Sequence, residues 1–211
     1  MKMKDIEQPK TKKTNKGYRS RASDILSIDL KGNAMDSLHR AGRFLYETKK
    51  NPYSWKWFVI AIHHATYCFM LVALLRTDLS GIWENVPKIR NGLIDLHNRK
   101  NRLISFNTAF EWIQDSQRMS GYIDSKPFKA QTHHEEAVKY LNDRRIEFVH
   151  FKPVTLIRSA QEFAKIEPIL EIIEFLVFES RRCNFEDKQQ RKIKDDLEKI
   201  RNFFKNFKNA K

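Results

Sequence analysis

FVIAIHHATYCFMLVALL, Phe58 to Leu75, runs for 18 residues without a single Lys, Arg, Asp or Glu. By length alone it reaches the minimum for a helix that crosses a bilayer. His63 and His64 fall near its middle, however, with Thr66 and Tyr67 beside them, and the sequence has no second segment of this kind. A helix that is apolar on every side is also the signature of the central helix of a soluble bundle. The segment is read as that central helix, which implies a cytoplasmic protein without a membrane partner.

Composition supports the same reading. The 211 residues include only 6 Gly and 6 Pro, too few turn-formers for a many-stranded β protein. Cys68 and Cys183 lie far apart with no metal-ligand spacing, which suits a reducing compartment and two buried thiols. Outward from the central segment, Asp29–Lys50 carries Ala34, Leu38, Ala41 and Leu45 at helical spacing. Asn51–Trp55 (NPYSW) breaks the pattern, with Ser54 as a candidate N-cap. Residues 77–87 read as a loop, and 88–104 as a short helix or ordered connector. Residues 105–119 are helical. Thr132 followed by Glu135 forms a capping-box pattern that opens a helix reaching Lys152-Pro153. Gln161–Phe178 is a further amphipathic helix, and a basic helix spans about 187–207. The expected architecture is all-α: five or six helices in one domain over 24–211, preceded by a disordered basic tail at 1–23.

The net charge of +14 sits mainly at the two ends. Residues 1–21 hold 8 basic side chains against 2 acidic, and residues 181–211 hold 11 against 5. The 159 residues between them are almost balanced, with 21 against 19. Such ends attract phosphate backbones without regard to sequence, and they equally make a solvated, solubilising surface.

Chemistry-bearing patterns are few. There is no Gly-rich phosphate loop and no zincin spacing. His133-His134-Glu135-Glu136 groups metal-capable side chains, but at a helix start these read as solvated cap residues rather than ligands. Of the adjacent His63 and His64, one reads as a core histidine with a hydrogen-bond partner. LNDRRIEFVHFKP, Leu141–Pro153, is more informative. Val138, Leu141, Arg145 and Phe148 share one helical face, so an arginine occupies an apolar stripe five residues before His150. A cation so placed is costly unless paired or used. One reading is an ion pair with Glu111, Glu171 or Glu174, with His150 capping the helix end.

The other rests on a likeness. Leu141-Asn142, Arg145, Phe148 to Phe151 and Lys152-Pro153 resemble the R-x4–6-H region of HEPN domains. The segments around residues 55–75 and 103–115 are similar to the second and middle helices of one bacterial group of that family. The resemblance spans roughly 31–179, excludes both basic ends, and implies a metal-independent endoribonuclease without cofactor, of a toxin or phage-defence type. It implies a homodimer whose cleft takes Arg145 and His150 as catalytic residues, with RNA as partner and an antitoxin or another protein as a further one. Arg145 would hold the scissile phosphate, and His150 would move the proton of the ribose 2′-hydroxyl. The position after the arginine, commonly polar in active members, is Ile146. That departure implies the alternative, a non-catalytic HEPN-like module that dimerises and binds a nucleotide, RNA or a protein.

Overall fold

A computed structural model describes residues 28–209, except 79, 86–87, 91–92, 96–97, 99, 151–154 and 156. The segment read as a tail at 1–23 and the helix-ending Lys152-Pro153 lie outside the described residues.

The architecture is all-α. Among the described residues, seven α-helices follow one another: α1 (Leu30–Glu47), α2 (Ser54–Leu74), α3 (Phe106–Trp112), α4 (Ser116–Met119), α5 (Thr132–Val149), α6 (Ile169–Glu174) and α7 (Asp187–Asn209). A 3-10 stretch at Ala160–Ile166 precedes α6, and one π turn at Phe175–Glu179 prolongs it. The helix expected over 161–178 is therefore divided. Pro168 stands at the break, where its ring and missing N–H prevent a continuous α-helix. The helix expected over 105–119 is likewise two, because Asp115 starts a new one by accepting from the backbone N–H groups of Gln117 and Arg118.

α2 is the centre of the bundle. Phe58, Val59, Ile62, Ala65, Phe69 and Ala73 are completely buried, and α1, α3, α5 and α6 pack around it. It is the one described helix long and apolar enough to cross a membrane, and 72% of that stretch is buried inside the protein. Tyr67 turns its hydroxyl to the Ile104 carbonyl, and Thr66 bonds back to Ile62, so its polar groups are satisfied within the bundle. Ser54 does not cap this helix. Tyr53 occupies the N-cap without a side-chain bond, and Ser54 is the buried first helical residue.

α1 starts on Asp29, whose carboxylate accepts from the Gly32 N–H at 2.6 Å. It buries the stripe Ala34, Leu38, Ala41 and Leu45. α7 closes the core from the other side with Ile193, Leu197, Ile200, Phe203 and Phe204, all buried. Each such side chain contributes about 1.5–3 kcal/mol of burial. Cys68 and Cys183 are free and buried, and desolvation pushes their thiols up to about 11 and about 12.

Among its described residues the connector at 88–104 contains no helix. It holds a minimal antiparallel ladder, β1 (Ile89–Arg90) with β2 (Leu93–Ile94), pairing Ile89 with Ile94 and Arg90 with Leu93. Just before it, Trp83 bridges to Leu103. Gly81 makes the preceding turn possible: at φ +88° a side chain would lie 2.3 Å from the Leu74 carbonyl oxygen.

Candidate active site

The stripe anticipated on α5 is present. Val138 and Leu141 are buried, and Phe148 is half-buried with its ring stacked on Phe163 at 6.4 Å between centroids. Arg145, half-buried, lies on the same helix where it faces the middle of α2, close enough for its charge to act on both His63 and His64.

Those histidines point to different sides, as adjacent helical residues must. His63 is buried, stacks on Phe106 at 4.1 Å, and places Nε2 3.2 Å from the Asn142 Oδ1. Asn142 in turn donates to Asn107 on α3 at 3.3 Å. His64 is exposed and meets Asn33 of α1 at 2.9 Å, with the Cys68 thiol 3.7 Å away. Desolvation lowers His63 to about 4; the Asn142 bond opposes this, and the charges of Arg145 and His64 add to the lowering. His64 is lowered too, by desolvation and then by Arg145. Two neutral imidazoles thus accompany one permanent cation.

None of the three carboxylates considered as partners neutralises that cation. Glu171 bonds to His134 at 2.9 Å, and Glu174 pairs with Arg201. Glu111 is exposed, and among the described residues Arg145 has no carboxylate within ion-pair distance. The neighbouring Arg144 differs. It pairs with Glu147 at 2.6 Å, and Glu147 also holds Arg158 at 2.5 Å, so Arg144 belongs to a latch on a different face of α5.

His150 is the C-cap of α5, at φ −103° and ψ 57°, and its N–H donates to the Ile146 carbonyl at 2.9 Å. This matches the capping role by backbone alone. Its imidazole is exposed and makes no side-chain hydrogen bond among the described residues. No hydrogen bond joins it to Arg145 among the described residues. Ile146 and Val149, between them, are 46% and 44% exposed.

Of the residues read as solvated caps, His133, Glu135 and Glu136 are exposed, whereas His134 is buried and takes part in the cap through its side chain. The capping pattern is shifted by one residue from Thr132–Glu135: Gln131 is the N-cap, and its N–H donates to His134 Nδ1 at 3.1 Å. His134 is buried, and its Nε2 meets Glu171 at 2.9 Å, with His133 at 3.5 Å from the same oxygen. Burial works to raise the Glu171 carboxyl, but hydrogen bonds from the two histidines outweigh it and hold it below the usual range. These three residues have the spacing of a metal-ligand set. The donor arrangement favours a latch instead. With Nδ1 accepting from the backbone, a neutral His134 carries its hydrogen on Nε2 and has no lone pair there for a metal.

Sequence reasoning singled out Arg145 and His150 but did not connect them to α2. The polar side chains bonded to the His63-His64 pair that feels Arg145 come from other segments: Asn33 on α1 and Asn142 on α5, with Asn107 on α3 behind Asn142. The paired histidines in an apolar helix were the visible signal. No protein-family model, curated protein or solved structure matches the chain.

Proposed function

We propose that the protein is a metal-independent endoribonuclease of the HEPN type, acting as a homodimer on RNA. The observation that carries this reading is Arg145: a half-buried guanidinium in a packed face, beside two neutral imidazoles and without a carboxylate among the described residues. Such a group is available to a phosphodiester, whose oxygens match its planar fork. His150 would take the proton of the ribose 2′-hydroxyl as that oxygen attacks phosphorus. The P–O5′ bond then breaks, and the leaving 5′-oxygen takes up a proton, giving a 2′,3′-cyclic phosphate. DNA, lacking the hydroxyl, would not be cut. No hydrogen bond joins Arg145 and His150 among the described residues, and a cleft completed by a second copy would bring them to one substrate. The exposed Ile146, Val149 and Ile157 offer that copy an apolar rim.

A second reading is favoured by Ile146. Its exposed apolar side chain stands where a polar group would help to position substrate, which suits a non-catalytic module that binds RNA, a nucleotide or a protein partner. Incubation of the purified protein with mixed RNA in excess EDTA separates the two. Cyclic-phosphate products from the wild type, absent from Arg145→Ala and His150→Ala proteins that remain folded, are expected from the nuclease. RNA binding without cleavage selects the module.

A further inference from the structure

A second cationic site lies at the C-terminal end of α2, about 16 Å along the helix from His63 by the rise of eleven residues. There a cavity of about 200 Å³ is lined by Arg76, Ser80, Gly81 and Arg118. At about 30 Å³ per water molecule it has room for a small oxyanion and a few waters.

Three guanidinium groups converge on this end of the molecule. Arg118, from α4, lies over the Trp112 ring with its central carbon 3.4 Å from the centroid. Cation–π attraction holds the guanidinium there, and its N–H groups make no side-chain hydrogen bond among the described residues. Arg76 follows the last turn of α2, and its backbone N–H is bound to the Ser80 carbonyl at 3.0 Å, which holds the loop shut. Behind them Arg182 is 7% exposed. Its Nε donates to the Ala73 carbonyl at 2.8 Å, and its guanidinium packs over Tyr122. Gly121 gives it room, since a side chain there would lie 1.9 Å from Arg182 Nη1.

The electrostatics of this group are incomplete. Arg182 Nη2 is enclosed and has no hydrogen-bond partner among the described residues. Arg182 feels desolvation and the charge of Arg76, both of which lower it. The carboxylate that acts on Arg76 is Asp78, a fully exposed side chain engaged by the Ser80 N–H at 2.9 Å. The last carbonyls of α2 offset part of the Arg182 charge. Among the described residues no ion pair neutralises Arg76, Arg118 or Arg182: Asp78 is exposed, and Asp115 accepts from the Arg118 backbone N–H rather than from its guanidinium.

We propose that this cavity binds a phosphate group, with Arg118 and Arg76 as the contacting forks and Arg182 as the buried charge behind them. The phosphate can be the free ion or the terminal monoester of a nucleotide or oligonucleotide. The proposal does not depend on the nuclease reading, because none of its residues touches Arg145 or His150.

The test is a titration of the full-length protein with inorganic phosphate, then with AMP, at constant ionic strength, followed by calorimetry and thermal melting. Saturable binding with a rise in melting temperature is expected. Arg118→Gln and Arg76→Gln, both at exposed side chains, should each weaken it about tenfold, as expected for the loss of one charge-assisted contact. Arg145→Ala should leave it unchanged. Tighter binding of AMP than of phosphate identifies a monoester as ligand, and equal binding identifies the free ion. A response that does not saturate, or that is the same in Arg118→Gln and wild type, overturns the proposal. So does a phosphate site lost with Arg145.

Discussion

At His63 the local environment has a consequence for the pH dependence of stability. The folded state holds this imidazole at about 4, against an ordinary value of 6.5. Between those values the unfolded chain binds a proton that the folded chain excludes, so acid favours unfolding. The contribution is fully present above pH 6.5 and is lost as pH falls toward 4, where the loss approaches about 3 kcal/mol. His63→Gln keeps a side chain able to bond Asn142 and removes the titration. Urea midpoints measured at pH 7 and pH 4.5 should therefore fall less in the variant than in the wild type. An identical fall in both would mean that His63 is protonated in the fold. The same residue shows why the site was only partly legible. An adjacent histidine pair in an apolar helix announces one buried imidazole, and that much was readable. That the pair faces Arg145, 82 positions away, follows from how α2 packs on α5, which helical periodicity does not encode.

The helices themselves were legible wherever one stripe of apolar residues had to find a core. Ala34, Leu38, Ala41 and Leu45 in α1 and the all-apolar α2 leave little choice. Other segments were less legible. Residues 88–104 lack a dominant period, which leaves a short helix and an ordered connector both open, and the described residues there form the second, with the small ladder. The break at Pro168 was visible as a letter but masked by the apolar periodicity on either side. Whether α7 closes the bundle or projects from it could not be decided from its charge. The structure answers through Phe204, completely buried and edge-on to Phe58 at 5.9 Å, and through Asp196, buried against His39 of α1 at 3.2 Å. Phe204→Ala should therefore cost about 3–5 kcal/mol, the range for deleting a core aromatic ring. Denaturant unfolding checks this, and a cost below about 1 kcal/mol would make α7 an appendage.

For the molecule as a whole, charge is partitioned more sharply than structure. α7 buries its apolar stripe and presents Lys188, Arg191, Lys192, Lys194 and Lys205 to solvent, interspersed with Asp187, Asp195 and Glu198. Residues 1–21 have no such balance, with 8 basic side chains against 2 acidic. If the protein engages RNA, the N-terminal segment is the better counterion-releasing element, because few of its cations have an acidic neighbour to compete with phosphate. Each phosphate it contacts adds about 0.7 to the slope of log affinity against log salt on a single strand. Engagement of half of its eight basic residues would contribute a slope of about 3 by that rule. On deletion of 1–21 the protein is expected to melt as before while RNA binding weakens most at low salt. The slope should fall by about that amount if the segment recruits RNA. An unchanged slope would assign the salt dependence to α7 and the arginine sites of the core, and leave the N-terminal charge as a solubilising surface.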